Sequence, residues 1–514
     1  MSSGRSIFSV LAVLLAAFLA GFQTKLFSTG LPDIRGGLGL SFDEGAWLNT
    51  AGTSGQILVA PAIAWLASVF GIRRVFIFPV LLYVVSSIVI PFLREYYFLL
   101  FFQFLHGVAL GVFVPATLMV IFKNIPVSWW VFCLALYALR VPFTSNAGVY
   151  LLGVYSNTIG WEWIYWQDVF FAPLIALFAC IGTNSEKVDH ELLRSADWGG
   201  MILFGSGLFL IYIGLDQGNR LDWGASEIIV VCILSGFVLL FFFLMNELFV
   251  RNPWASPKIL MSRNIALMLL ASLAFNLSAV SSASLVPSFL TTVKLFRPEQ
   301  FGETLLYYVA IPSVLLLPVV VLLLRLYDPR YLIVLGLSSF ALASMLGMGV
   351  TSEWNSENFI VISFLHSVGY SFTFVSLIVF GAMNNDPKLS TSFSAYVQVN
   401  RLVGAEFGAA FMATWLRSRE QTHSNLMGVY LDSSRSEVIG RVKELSSPYA
   451  FLGPSDSVLS GVKSLASIVK VQANVLSYID GFMITMLMAF TGIALISLTK
   501  KSPVGVLSPK TKGG

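Results

Sequence analysis

The chain has 514 residues, of which 56% are hydrophobic and only 11% are charged, and its mean hydropathy is +0.80. Soluble domains of ordinary composition have about 25% charged residues, so these values exclude a chain built from several soluble domains. The formal net charge is only +4, and the basic residues are scattered without interleaved aromatic residues, so nucleic acid is not an expected partner.

Apolar runs of roughly 20 residues recur along the chain, and each is long enough to cross a hydrocarbon core of about 30 Å. The runs are continuous and do not alternate with polar residues, so we predict spanning helices, not barrel strands, and an all-α integral membrane fold. The first run, 7–27, is too long for a signal peptide and lacks a small-x-small cleavage site, so it is predicted to be retained. The fourteen predicted spans are 6–28, 46–68, 75–93, 97–121, 128–153, 163–182, 197–215, 226–248, 264–290, 302–325, 330–350, 357–381, 393–416 and 478–498.

The flanking charges predict how the chain is oriented. An even number of spans places both termini on one side, and basic residues such as Arg73, Lys123, Arg325 and Lys500 lie on that side. The positive-inside rule therefore predicts a multi-pass protein of the bacterial inner membrane with cytoplasmic termini. The polar, Ser-rich segment 417–477 then lies outside the cytoplasm, where we expect it to cover the outer mouth or dock a partner. The alternative for this segment is a flexible connector.

The sequence contains no recognisable catalytic, metal-binding or nucleotide-binding motif. Cys133, Cys180 and Cys232 all lie within apolar runs, which predicts small buried side chains, no disulfide framework and no metal site. G-x-S-x-G, H-E-x-x-H and P-loop motifs are absent. We therefore expect no enzyme, no cofactor and no direct drive by ATP, and a membrane scaffold is left without a supporting motif.

Three stretches carry a family resemblance. The turn after the second span, 64–74, keeps Gly71, Arg73 and Arg74 of the pattern G-x-L-a-D-r-x-G-r-k, in which glycine permits a tight cytoplasmic gating turn and the cations fix orientation. After span seven, the stretch 215–223 reads LDQGNRLDW and matches L-D-x-G-x-x-x-D-W, and the stretch 252–264 resembles the segment that leads into span nine. Together they resemble the fourteen-span, EmrB/QacA-like drug:proton antiporter family of the major facilitator superfamily.

The resemblance implies a fold and a function. It implies two six-helix bundles with two helices inserted between them, and a substrate site near the midplane that is exposed alternately to each side. It implies proton-coupled efflux of amphipathic organic compounds or drugs, with a small-molecule substrate, protons, the lipid bilayer, a periplasmic membrane-fusion adaptor and an outer-membrane channel as partners. The implied parts are the first bundle (1–182), two inserted linker helices (183–250), five helices of the second bundle (251–416), a large periplasmic loop (417–477) and the last helix with a cytoplasmic tail (478–514).

Some positions depart from the family pattern. The usual acid of span one is Gln23, the usual arginine of span four is Gln103 with His106 close by, and the Gly-Pro-rich motif of span five is thinned around Asn146. These losses favour an alternative function, an uptake carrier for a siderophore or another natural product.

Ionisable side chains at membrane depth are candidates for proton coupling, because each one is costly unless it is paired or hydrated. Glu406 in span thirteen is the first candidate. A structural ion pair of Glu406 with Arg401, Arg140 or Lys25 is the alternative. The other candidates are Asp168, which follows an aromatic cluster typical of an interfacial belt, His106, for which packing is the alternative, and Glu303.

Three cations are candidates for holding an anionic substrate or for ion pairs, namely Lys25, Arg140 and Arg401. Snorkelling is the alternative for Lys25, and pairing with Glu406 or Asp168 is the alternative for Arg140. Arg401 and Glu406 are five positions apart, which places them about 140° apart around a helix, so they are expected to face different neighbours. Uncharged polar candidates for the same site are Gln23, Gln103, Asn146 and Asn276.

Overall fold

Long helices form along the chain wherever an apolar run was found, because a backbone in hydrocarbon must satisfy its own hydrogen bonds. The computed structural model describes residues 3–502 apart from 185, 251, 387, 388 and 433, and within those residues no strand forms. Residues 503–514 of the predicted cytoplasmic tail lie outside the described residues.

The first bundle contains six helices, which are α1 (Ser3–Leu38), α2 (Phe42–Phe70), α3 (Ile72–Phe92), α4 (Tyr96–Asn124), α5 (Trp130–Val154) and α6 (Trp163–Gly182). A short helix, His190–Arg194, leads to the inserted helices α7 (Trp198–Gly218) and α8 (Glu227–Phe249). The second bundle contains α9 (Arg263–Thr292), α10 (Pro298–Leu326), α11 (Pro329–Gly347), α12 (Ser356–Asn384), α13 (Ser390–Gly428) and α15 (Pro454–Ser497), with the short α14 (Ser436–Ser446) before the last helix.

Twelve of the described helices are long and apolar enough to cross a membrane. The long helices α5 and α13 do not reach that hydropathy, although both lie among the packed spans. Helix α5 contains Arg140 and Asn146, and α13 contains Arg401 and Glu406, so each of the two helices that interrupt the apolar pattern carries candidate site residues.

Helix contacts divide the molecule into the two expected bundles. Helix α1 packs on α4, α5 and α6, and α2 packs along α4. In the second bundle α15 contacts α9, α11 and α13, and α11 packs along α12. The bundles meet where α5 contacts α10 and α12 and where α2 contacts α13. The pair α7–α8 packs against α2 and α13 from outside, so it borders both bundles.

Two faces are needed to describe positions along these helices. We call the face at which α1 begins and α15 ends the terminal face, and the opposite face the far face. A cavity of about 470 Å³ lies between the bundles toward the terminal face, with Ser68 of α2, Met119 of α4 and Ser394 of α13 in its lining.

The segment 417–477, expected to be a polar loop, is largely helical in the described residues. Helix α13 continues through residue 417 to Gly428, and α15 begins at Pro454, so both helices cross the limits expected at 416 and 478. At the base of this segment, which we call the far-face projection, Asp480 of α15 accepts hydrogen bonds from Arg419 Nε (2.6 Å) and His423 Nε2 (2.8 Å) of α13. These bonds hold the two long helices together where they leave the bundle.

The closest helix approach of the first bundle is between α2 and α4. A Cβ atom built on Gly107 would lie 1.9 Å from the carbonyl oxygen of Gly52, which is far inside contact distance. Small residues at such crossings let two backbones approach, and close backbone packing is a main source of association energy in a bilayer.

We expect Gly107→Ala to destabilise the protein by about 1–3 kcal/mol, because the added methyl group must push α2 and α4 apart. Gly36→Ala is the matched control, since a Cβ atom there meets nothing within 4 Å. Thermal unfolding of both variants in detergent tests this expectation. An unfolding temperature of Gly107→Ala equal to that of Gly36→Ala would contradict it.

Candidate transport and proton-coupling sites

Two arginines lie at the same depth on facing bundles. Arg140 follows the start of α5 by ten residues, and Arg401 follows the start of α13 by eleven, which places each about 15–17 Å from the terminal face. That depth is the middle of a hydrocarbon core of about 30 Å. The Arg140 side chain is only 5% exposed, and its charge lies within electrostatic range of Arg401.

Among the described residues, no carboxylate bonds to either of these arginines. Arg140 lies over the ring of Tyr137, 5.4 Å from the centroid, and its Nε has no hydrogen-bond partner among the described residues. Arg401 Nε donates to Gln398 Oε1 at 2.7 Å, while Nε2 of the fully buried Gln398 also lacks a partner in the described part of the chain. The expected alternatives, in which Glu406 pairs with Arg401 or Arg140, or Asp168 pairs with Arg140, do not occur between these side chains. We call Arg140, Gln398 and Arg401 the midplane cluster.

Asp168 and His106, predicted from separate spans, are in contact. Asp168 of α6 is 0% exposed and His106 of α4 is 2% exposed, and His106 Nε2 lies 3.4 Å from Asp168 Oδ2. Ser87 Oγ of α3 donates to the same oxygen at 3.2 Å, and the His106 ring stacks on Tyr83 at 4.4 Å between centroids. Oδ1 of Asp168 has no partner among the described residues. A buried carboxyl group and an imidazole in contact form a site that can hold and release a proton.

Two predicted glutamines extend this network inside the first bundle. Gln103 Oε1 accepts a hydrogen bond from Tyr165 at 3.0 Å, and Gln23 Oε1 accepts one from Gln167 Nε2 at 3.2 Å. Tyr165 also packs edge-on against His106, 5.8 Å between centroids. Gln23 and Gln103 therefore hold polar contacts among α1, α4 and α6 instead of joining the midplane cluster.

The remaining polar candidates lie along helix contacts. Lys25 of α1 lies against α5, where a Cβ atom built on Gly148 would be 3.1 Å from Lys25 Cγ, and no ion pair to Lys25 forms within the described residues. Asn146 Nδ2 donates to the Pro142 carbonyl of its own helix at 2.7 Å. Asn276 Nδ2 of α9 donates to the carbonyl of residue 400 in α13 at 3.0 Å, which ties these helices beside the midplane cluster.

The two other acidic candidates are placed apart from the midplane cluster. Glu406 lies within electrostatic range of Asp216 and Tyr212 of α7, so it faces the inserted helices. This direction agrees with the expected angle between Arg401 and Glu406. Glu303 is exposed near the start of α10.

The predicted gating turn has a backbone conformation that requires glycine at position 71. Gly71 has φ +83°, a left-handed conformation that side chains rarely adopt, and its N–H donates to the Ala67 carbonyl. A Cβ atom at Gly71 would lie 2.9 Å from Glu186 Cβ, and Glu186 pairs with Lys123 at 2.6 Å. The turn thus contacts the segment that leads to α7. Arg73 and Arg74 follow it at the terminal face, and no ion pair to either forms in the described part of the chain.

Sequence reasoning missed Gln398 and Asp216 as site residues. Gln398 is one uncharged residue in a polar helix, and no local pattern distinguishes it from its neighbours. Asp216 was part of the recognised stretch 215–223, and its position at the end of a span was the signal that singles it out.

Comparison with known proteins identifies the family. The model of the Major Facilitator Superfamily matches residues 13–409. The chain belongs to the Major Facilitator Superfamily. Solved structures of this superfamily have the same fold: the bacterial proton:xylose symporter XylE aligns with a TM-score of 0.55 at 12% identity over 95% of each chain. The all-α fold of two bundles inferred from the sequence is therefore confirmed.

Curated members of the superfamily resemble the chain at lower coverage. The Multidrug export protein EmrB of Haemophilus influenzae is 28% identical over 296 residues, 57% of each protein, and EmrB of Escherichia coli K12 is 24% identical over 52% of each. The chain thus spans little more than half the length of these EmrB relatives. The Fatty acid resistance protein FarB of Neisseria gonorrhoeae is 22% identical over 411 residues, 80% of each protein. The resemblance to EmrB expected from the sequence is thus found in these relatives.

Proposed function

We propose that this protein is a secondary transporter of the inner membrane that exports amphipathic organic anions in exchange for protons. The observation that carries the proposal is the midplane cluster, in which the buried Arg140 and the half-buried Arg401 lie on facing bundles and have no carboxylate partner among the described residues. Buried charges are normally paired, so an unpaired cation pair at the substrate depth is matched by an anionic cargo. The names of the EmrB and FarB relatives, which refer to multidrug export and fatty acid resistance, support this choice.

The proton in this exchange is assigned to Asp168 and His106. Their contact is buried between α4 and α6 of the first bundle. It is therefore separate from Gln398 and Arg401, the members of the midplane cluster that lie on the second bundle. Gln23 and Gln103 replace charged residues of the family pattern, so a titratable pair elsewhere in the first bundle is needed if coupling is retained. Glu406 is the competing assignment, because it faces a second carboxyl group, Asp216.

The far-face projection is proposed as the docking place of a periplasmic adaptor, with the termini in the cytoplasm. An apolar groove of about 790 Å³ runs between α14 and α15, and Ile439, Val458 and Val462 on it are about half exposed. An apolar groove on a water-facing projection supports a protein partner there.

Direction and coupling are tested in inside-out vesicles with an acidic lumen. We expect dodecanoate, an amphipathic carboxylate, to accumulate in the lumen as protons leave, and the neutral dodecanol to show no gradient-dependent accumulation. A gradient of one pH unit sustains about a tenfold concentration ratio for each proton exchanged. Loss of dodecanoate from preloaded vesicles under the same gradient would instead identify an uptake carrier.

A further inference from the structure

The stretch 215–223, which carries the most specific part of the sequence signature, ends α7 at the far face and contacts both bundles. We propose that this stretch, here named the clasp, fastens the far ends of α2 and α13 together and stays with the first bundle when the two bundles separate. None of its residues belongs to the midplane cluster or to the Asp168–His106 pair.

The clasp is bonded to α2 through buried and half-buried side chains. The Asp216 carboxylate accepts hydrogen bonds from Thr50 Oγ1 and from Asn49 Nδ2, the latter at 3.4 Å. Gln217 Nε2 donates to the carbonyl of Ala46 at 3.3 Å and also contacts Thr50 Oγ1. Thr50 and Gln217 are each 2% exposed, so these bonds are shielded from water.

A charged contact extends the attachment to α2. Arg220 pairs with Asp43 in the first turn of α2, and its Nε donates to Gln217 Oε1 at 2.6 Å. The Arg220 guanidinium also lies over the ring of Trp47, 5.8 Å from the centroid. Residues 216, 217 and 220 together therefore bind two turns of α2.

The clasp is bonded to α13 by fewer and more exposed contacts. Arg417 donates through Nη1 to the carbonyl of Asn219 at 2.7 Å and through Nη2 to Asp222 Oδ1 at 3.1 Å. Trp223 Nε1 donates to Thr414 Oγ1 at 3.1 Å. The Arg417 and Asp222 side chains are 44% and 69% exposed, and exposed ion pairs of this kind contribute little to stability.

The backbone of the clasp is shaped to reach α13. Asp222 and Trp223 have φ of +65° and +46°, which is strained for residues with a Cβ atom. The Trp223 ring lies on Gly218, where a Cβ atom would be only 2.5 Å from the ring. The glycine, the second aspartate and the tryptophan of the signature are thus explained as the parts that turn the chain and aim the indole at Thr414.

This asymmetry determines which attachment parts first. In alternating access the bundles rock against each other, so an element bonded to both must release one of them. The bonds to α2 are more numerous and include the buried Thr50 and Gln217, whereas those to α13 depend on Arg417 and Trp223. Opening of the far face therefore breaks the contacts to α13, and the α7–α8 pair moves with the first bundle.

Distances between spin labels test this mechanism in the full-length protein in nanodiscs, with the three native cysteines replaced by serine. Labels at Phe42 of α2, Gly224 of the α7–α8 turn and Ser418 of α13 give three pairs that report each relative motion. In Arg417→Ala we expect the population of long 42–418 and 224–418 distances to rise about fivefold, the equivalent of one net hydrogen bond. The 42–224 distance is expected to keep its distribution.

Arg419→Ala is the matched control, because Arg419 lies two residues further along α13 and, within the described residues, donates to Asp480 and contacts His423, both of the second bundle. It is expected to leave all three distances unchanged. Trp223→Phe keeps the ring on Gly218 and removes only the donor to Thr414, so it should shift the same two pairs by a smaller amount. Equal distributions for Arg417→Ala and Arg419→Ala, or a 42–224 distance that widens with the others, would overturn the proposal. These distance measurements do not require a transported substrate.

Discussion

Replacing Asp168 with asparagine is expected to abolish gradient-driven transport. The amide has nearly the size of the carboxyl group and still accepts a hydrogen bond from Ser87, but it can no longer take up and release a proton. Under a gradient of one pH unit, exchange of one proton keeps the dodecanoate concentration in the vesicle lumen about tenfold above the external concentration. In Asp168→Asn the lumenal concentration should fall to the external concentration. The vesicle assay measures this ratio directly.

Two controls separate coupling from folding. Glu303→Gln removes an exposed acid of α10 and should keep full accumulation. Exchange of labelled for unlabelled dodecanoate without a pH gradient should persist in Asp168→Asn, which shows that the protein is folded and binds its substrate. Retained accumulation in Asp168→Asn together with its loss in Glu406→Gln would move the proton site to α13, as the sequence first suggested.

Arg140→Gln is expected to weaken binding of amphipathic carboxylates by about 10- to 100-fold, because a hydrogen bond to a charged group contributes roughly 1.5–3 kcal/mol. Binding of the neutral dodecanol should be unchanged, since it never engages the positive charge. Titration of the purified protein with dodecanoate and dodecanol measures both dissociation constants. Arg325→Gln, which removes an exposed arginine at the end of α10, is the matched control.

A stability measurement distinguishes a binding role of Arg140 from a structural one. The buried Arg140 and the half-buried Arg401 are cations within electrostatic range, and neither has a carboxylate partner among the described residues. Removing one charge relieves the repulsion, so the ligand-free Arg140→Gln protein should unfold at a higher temperature than the native one. A lower unfolding temperature combined with unchanged dodecanoate binding would contradict the anion site.

The sequence predicted the fold well where hydropathy alone determines the structure. The apolar runs located the long helices, and the pattern around Gly71 located the tight turn, because both depend on local physics. The continuation of α13 to Gly428 was not predicted, because a polar helix outside the membrane has no apolar run to mark it. Whether segment 417–477 forms helices or a flexible connector was decided only by the structure.

The site was predicted as a set of residues but not as an arrangement. Asp168 and His106 were both named, yet their contact depends on how α4 and α6 are rotated against each other, which a single sequence does not specify. Arg140 was given two acidic partners that lie elsewhere, because the direction of each carboxyl group follows from tertiary packing. Charge at membrane depth therefore gave the candidate residues, and packing decided what each one contacts.

Helix α13 is continuous from the midplane into the far-face projection, so a movement at one end is transmitted to the other. Arg401 near the midplane and Gly428 in the far-face projection belong to one helix, and the 27 residue steps from Arg401 to Gly428 rise about 40 Å. A tilt of about 10° around the cargo would displace Gly428 by about 7 Å. A partner docked on the projection would therefore be displaced each time cargo binds or leaves, and no signalling molecule would have to cross the bilayer.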